Sequence, residues 1–165
     1  MPRKIVITGA SSEIGLAIGD KVIGEEDEVI LQCYQHQHEC VPLKEKLGEA
    51  CQLLSVDLTN PQEIEAFCKA LTEVDILINV AAVTITDLLA NLTDQQINNM
   101  LNVNILALIK ICQAVIRSMV VRRKGIIINI SSIAAQRGNR GQTVYAGTKG
   151  FVESFTRSLA AEYGK

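Results

Sequence analysis

The sequence predicts an α/β fold: a parallel sheet with helices on both faces, three layers in all. Two observations carry that reading. Short apolar runs of strand length alternate with longer stretches of helical character along the whole chain. Small or polar residues also follow five of the apolar runs, at Thr8-Gly9, Tyr34-Gln35, Asp57, Asn79 and Ser132. Open α/β sheets bind ligands outside the carboxyl ends of their strands, so five such ends predict one long ligand crevice.

Taken in order, Lys4 to Thr8 is the first strand and a helix spans about Ser12 to Ile23. Val29 to Cys33 is the second strand, followed by a helix of mixed character near Cys40 to Leu47, and Gln52 to Val56 is the third. Asn60-Pro61-Gln62-Glu63 supplies an N-cap, a proline in the first turn and a glutamate that reaches back, so a helix begins there and runs to about Leu71. Val74 to Ile78 is the fourth strand. Thr93-Asp94-Gln95-Gln96 is a second capping box, opening a long helix to about Val121. Gly125 leads into the fifth strand, Ile126 to Ile130, and the last helix covers about Val144 to Glu162. No repeat, low-complexity tract or linker interrupts the series, so residues 1–165 read as one domain.

Composition narrows the function. Hydrophobic residues make up 48% of the 165, enough for a sizeable core and against disorder. A net charge of -2 with scattered signs leaves no footprint for nucleic acid. No uninterrupted apolar run approaches the ~18 residues of a membrane span, and MPRKIVITGA leads straight into a strand, so a cytoplasmic protein is expected. The five cysteines form no CxxC pair and read as reduced, packed thiols. Cys33, His36, His38 and Cys40 are zinc-ligand types, but no second cysteine pair closes the site. A solvated loop without metal is the expectation.

The stretch from Ser131 to Gly150 carries the chemistry. Tyr145 and Lys149 stand four residues apart, on one helix face and within reach of a common ligand. A free phenol titrates near ~10, and a fixed ammonium favours its anion, which makes such a pair useful in proton transfer. Ser132, just past the fifth strand, supplies a hydroxyl for an oxygen that becomes negative as hydride reaches carbon. The turn Thr8-Gly9-Ala10-Ser11-Ser12-Glu13-Ile14-Gly15 adds small residues and a helix N-terminus that offers amide hydrogens to a pyrophosphate.

Together these residues resemble the short-chain dehydrogenase/reductase family in its single-domain form, with the 3-oxoacyl-acyl-carrier-protein reductases as the nearest group. The glycine motif TGxxxGxG is matched at Thr8, Gly9 and Gly15, and the acidic residue after the third strand at Asp57, beside Leu58. Asn79-Val80-Ala81-Ala82 stands for Asn-Asn-Ala-Gly, and the tetrad of Asn, Ser, Tyr and Lys falls on Asn104, Ser132, Tyr145 and Lys149. Gly138 to Gln142 resembles the carrier-protein reductases in particular. The resemblance implies a Rossmann-type doubly wound sheet and hydride transfer between a nicotinamide cofactor and a carbonyl or alcohol. Tyr145 would protonate the nascent alkoxide, Lys149 would hold the nicotinamide ribose, Ser132 would orient the carbonyl and Asn104 would anchor a relay water. Thr8, Gly9, Ser11, Ser12, Ile14, Gly15, Tyr34, Asp57, Leu58, Asn79 and Ala81 would line the cofactor's path, with Tyr145 and Lys149 at its far end.

Three departures qualify the match. Glu13 replaces the middle glycine, where a carboxylate near phosphate predicts weakened cofactor binding. Val80 and Ala82 add methyl groups on the adenosine side. The sequence stops at Lys165, where the family continues into further strands and a substrate-covering helix. The expectation is that these residues belong to a longer chain, and that the piece alone turns over little substrate. An intact mass near 18 kDa would defeat the first of these.

The second strand ends without the aspartate that NAD enzymes place there, and Gln32-Cys33-Tyr34-Gln35-His36 leans towards NADP(H) over NAD(H). By the resemblance, expected substrates are small carbonyl compounds or acyl thioesters, with an acyl carrier protein as the partner that would present the latter. Arg122-Arg123-Lys124 is a basic cluster that either steers such a carrier or simply complements a helix dipole. The two long helices carry apolar surface on more than one side, and by the resemblance they pair in a homodimer or homotetramer. Alternatives are a dehydrogenase of a small alcohol or sugar, or a non-catalytic nucleotide-binding or interaction protein.

Overall fold

The computed structural model describes residues 2–164, so the reading attached to Lys165 lies outside the described residues. Five strands form one parallel sheet in the order β3-β2-β1-β4-β5: β1 (Lys4–Thr8), β2 (Glu28–Cys33), β3 (Cys51–Ser55), β4 (Ile76–Asn79) and β5 (Ile126–Asn129). The chain builds outward from β1 to β3, then crosses back to β4 beside β1. That reversal opens a crevice between β1 and β4 at the strands' carboxyl ends.

Alternation along the strands assigns the two faces. Ile5 and Ile7 join Val29, Leu31, Ile76 and Ile78 in one core, beneath α1 (Glu13–Val22) and α2 (Val41–Leu47). Val6, Ile30 and Leu77 point the other way, onto α3 (Pro61–Ala70) and the long helical stretch that follows β4. Burial on both faces is why the inner strands read as unbroken apolar runs. The outermost strand is different. Ile126 and Ile128 of β5 remain 54% and 42% exposed, while Ile127 packs on the second core. The fifth strand is a sheet edge.

Element boundaries moved where side chains replaced backbone partners. β4 starts at Ile76 rather than Val74, because a left-handed Glu73 (φ 54°) turns the chain and packs Val74 into the core from outside the strand. Asn60 caps α3 as expected, accepting from the Gln62 and Glu63 amides. Glu63 reaches back with both oxygens, Oε1 accepting from Asn60 Nδ2 at 2.9 Å and Oε2 from the Asp57 N–H at 2.7 Å, and so holds the end of β3. The Thr93–Gln96 capping box forms in both directions.

The helix expected to run unbroken from there does not. α4 (Asp94–Leu101) passes through a widened π-turn, Asn102–Ala107, before α5 (Leu108–Arg122) resumes. Such turns are rare and mark places where a side chain is re-aimed. By length and composition alone the 29 residues Asp94–Arg122 would suffice to cross a bilayer. Here Val103, Ala107, Ile111, Val115 and Met119 instead face the sheet as core.

Candidate active site

Gly9 sits in the left-handed region (φ 63°), and a Cβ built there would lie 2.6 Å from the backbone of Ala81. The turn after β1 is therefore pressed against the loop after β4, and only glycine allows it. A Cβ on Gly15 would fall 2.5 Å from the Gly9 carbonyl oxygen, so the third family glycine is also required by packing. Ser12 caps α1, accepting from the Gly15 N–H at 3.1 Å and donating to the Gly9 carbonyl at 2.8 Å. Thr8 is buried, its hydroxyl accepting from the Ala81 N–H at 3.3 Å. Glu13 and Ile14 are exposed in the first turn of α1, and Glu13 has negative φ, so it fills the glycine position without backbone strain.

In front of this turn lies a cavity of about 1160 Å³. Of the residues expected along the cofactor's path, Gly9, Ser11, Ser12, Tyr34, Asp57, Leu58 and Ala81 line it, while Thr8, Ile14, Gly15 and Asn79 do not. The volume is ample for a dinucleotide's adenosine and phosphate portion. The polar face of α4 (Gln95, Gln96, Asn98, Asn99) closes the far side and was not foreseen. Burial opposes ionisation of Asp57, but the amide and hydroxyl of Thr59, donating to its Oδ1 at 2.8 and 2.7 Å, outweigh this. Its carboxyl lies below the ordinary range. The Asp57 charge in turn raises the Tyr34 phenol. Among the described residues, no lysine or arginine lines the cavity, and His36 is its one basic side chain.

None of Asn104, Ser132, Tyr145 and Lys149 lines that cavity; the last two stand on α6 (Thr143–Tyr163). Lys149 is only 4% exposed, and its ammonium donates to the Ile130 carbonyl at 2.8 Å, 5.9 Å from the centre of the Tyr145 ring. Desolvation lowers its pKa. Tyr145 is half-buried one turn earlier on the same helix face. Asn104 occupies the π-turn, fully buried. Its Oδ1 accepts from the Val83 N–H at 2.7 Å, and its Nδ2 donates to the Val83 carbonyl at 2.9 Å and to Thr148 Oγ1 at 3.0 Å. Every polar atom of that side chain is thus committed to protein partners. Ser132 caps the short 3-10 turn Ile133–Ala135, accepting from the Ala134 N–H at 3.2 Å. Its own proton is free for a ligand oxygen.

Asn79 stands apart from the crevice lining. Its Nδ2 donates to Asn129 Oδ1 at 2.9 Å and contacts the Cys112 sulfur, fastening β4 to β5. Its Oδ1 is buried without a partner. Asn129 passes the link on to Thr156 of α6 at 2.9 Å. The thiols of Cys33 and Cys40 are buried, whereas His36 and His38 are exposed, so the four do not converge. Of the basic cluster, Arg122 bonds Asp75 at 2.8 Å and Lys124 approaches it at 3.2 Å. The Lys4 amide and both cations overcome burial and bring the Asp75 carboxyl down to about 2.

Sequence reasoning missed three polar residues around the site. Ser131 Oγ lies 3.2 Å from the Lys149 carbonyl, tying the end of β5 to α6. Thr148 donates to the Tyr145 carbonyl at 2.7 Å while accepting from Asn104. Gln32, an amide inside the apolar run Val29–Cys33, was the one with a readable signal.

Comparison with known proteins agrees with this geometry. The family model described as short chain dehydrogenase matches residues 3–165. The 3-oxoacyl-acyl-carrier-protein reductase FabG of Vibrio harveyi is 34% identical over 95% of this chain. The chain spans 66% of that relative's length. A short-chain dehydrogenase from Sphingobium yanoikuyae in complex with NADPH superposes with a TM-score of 0.90 at 27% identity, covering 99% of this chain and 66% of the other. A 3-oxoacyl (acyl-carrier-protein) reductase from Agrobacterium tumefaciens C58 with NADP bound gives 0.87 at 27% identity, over 98% and 64%. The chain belongs to the short chain dehydrogenase family.

Proposed function

We propose that the protein is an oxidoreductase that binds NADP(H) in the crevice and reduces the carbonyl of a 3-oxoacyl thioester. The observation that carries this is Lys149. An ammonium almost wholly withdrawn from water, held by a backbone carbonyl rather than a carboxylate, is costly unless a ligand completes it. Ribose hydroxyls are acceptors of the right kind.

Gly9, Ser11, Ser12, Tyr34 and Asp57, which line the cavity, would hold the adenosine and pyrophosphate portion. When bound, the nicotinamide supplies the hydride. Ser132 donates to the carbonyl oxygen and Tyr145 delivers the proton to it, while Lys149 fixes the ribose and the Tyr145 hydroxyl. Asn104 holds the π-turn in place, and any relay water would meet its backbone rather than its fully engaged amide. NADP(H) is preferred to NAD(H) because no carboxylate ends β2, and two similar structures are NADP(H) complexes. A tighter NADH complex would reverse that preference.

Acyl thioesters follow from the likeness to the Vibrio harveyi reductase, and an acyl carrier protein is the partner such a substrate implies. Leu106, Val120 and Val121 stay exposed on the helical stretch from Asp94 to Arg122, which supports a homodimer or homotetramer, and light scattering checks this. A cytoplasmic setting is consistent with the reduced thiols. The test of activity is NADPH consumption with acetoacetyl-CoA. Wild-type turnover that Tyr145→Phe abolishes supports the assignment, and equal rates reject it.

A further inference from the structure

Gln32 sits near the end of β2 in an otherwise apolar strand, and only 2% of it is exposed. A buried amide costs about 1–3 kcal/mol if its polar atoms go unpaired, so a position of this kind ordinarily carries valine or leucine. Here both ends are used. Its Oε1 accepts from the Gly9 N–H at 3.0 Å, and its Nε2 donates to the Val56 carbonyl at 2.9 Å. Its own backbone carbonyl accepts from the Ala10 N–H at 2.9 Å.

The partners fix the chemistry. Gly9 offers only a donor and Val56 only an acceptor, so a neutral amide satisfies both, whereas an aliphatic group or a carboxylate cannot. The geometry also ties together two parts of the crevice that lie on different strands. One bond holds the left-handed Gly9 turn, and the other holds the residue just before Asp57.

We propose that Gln32 is a positioning residue for the dinucleotide, a strut that sets the separation between the pyrophosphate turn at Gly9 and the adenosine edge at Asp57. This rests on the NADP(H) reading of the crevice and names a determinant that the family motifs do not contain. Removing the strut leaves the Gly9 N–H and the Val56 carbonyl unpaired in the interior. The turn then relaxes at the expense of ligand affinity.

The test is NADPH binding, followed by the cofactor's fluorescence, in wild type, Gln32→Leu and Gln32→Glu. Titrations run from about pH 6 to about pH 8.5, with affinity counted per folded molecule by circular dichroism. Gln32→Leu should raise Kd about tenfold or more at every pH. Gln32→Glu should behave differently. As a neutral acid it offers a donor to Val56 and an acceptor to Gly9, and it binds NADPH nearly as wild type. As pH rises its carboxylate faces the Val56 carbonyl, and affinity falls on a profile that wild type lacks. A side chain that merely fills the core would change the melting temperature without creating that profile. Gln32→Leu binding as tightly as wild type overturns the inference, as does Gln32→Glu following the wild-type pH dependence. A wild type that binds no NADPH rejects the reading of the crevice itself, and the inference with it.

Discussion

The two halves of the crevice are held by different means. On the adenosine side, the Gly9 turn is fixed by backbone contact with Ala81, by the Ser12 cap and by the Gln32 amide, over strands buried on both faces. On the tetrad side, β5 is a half-exposed edge, and its end is tied to α6 by single bonds from Lys149, Ser131 and Asn129. The first half rests on main-chain contact and on side chains that take no part in the chemistry, whereas in the second Lys149 both ties the structure and serves the chemistry. Changes in the first should therefore move cofactor affinity, and changes in the second should move turnover.

The largest effect tests the second half. Tyr145→Phe should lower kcat about 1000-fold in NADPH-consumption assays while leaving the NADPH Kd within about twofold. The matching change in the first half is Gly9→Ala. The added methyl meets the Ala81 backbone, at a φ that L-residues rarely adopt, so NADPH affinity should fall about 100-fold and thermal stability should drop with it. Gly9→Ala with unchanged affinity would erase the contrast between the halves. Thr148→Val keeps the shape of a buried residue but unties Asn104 from the Tyr145 turn. An effect of about tenfold is expected in kcat, with little in Kd, and Thr148→Ser should restore it.

Protonation sharpens the same division. Burial lowers the Lys149 pKa, so its ammonium is lost at a lower pH than that of a solvent-exposed lysine. Turnover should then decline on the alkaline side before the ordinary lysine range, as Lys149 becomes neutral, and a kcat–pH profile reads this directly. The smallest effect belongs to Glu13. Its side chain points to solvent from the first turn of α1, so Glu13→Gly should tighten NADPH only about two- to fivefold in a salt-dependent titration.

The same contrast separates what was readable in the sequence from what was not. The alternation of strands and helices, the crevice at the strand ends and the Gly9–Gly15 turn follow from short apolar runs and small residues, because local pattern and packing agree there; the strand order, set by which strand the chain returns to after β3, does not. Tyr145 and Lys149 were readable because four residues on a helix is a fixed geometry. The π-turn at Asn102–Ala107 was not, since it arises from a long-range bond between Asn104 and the Val83 backbone, 21 residues away. Nor was the use of Asn79, whose bond to Asn129 spans 50 residues. Glu63 was readable as reaching back to the Asn60 cap, which it does, but not as also holding the Asp57 amide. Residues whose partners lie on another strand leave only their polarity as a clue, as Gln32 does.

Amide hydrogen exchange of the wild-type protein, with and without saturating NADPH, tests most directly whether one ligand joins the two halves. Exchange should slow together in the segment from Gly9 to Leu16 and at the start of α6 through Lys149, with the outer face of α3 unchanged. Protection in only one of those segments, or in neither, would contradict a single dinucleotide lying along the strand ends from Gly9 to Tyr145.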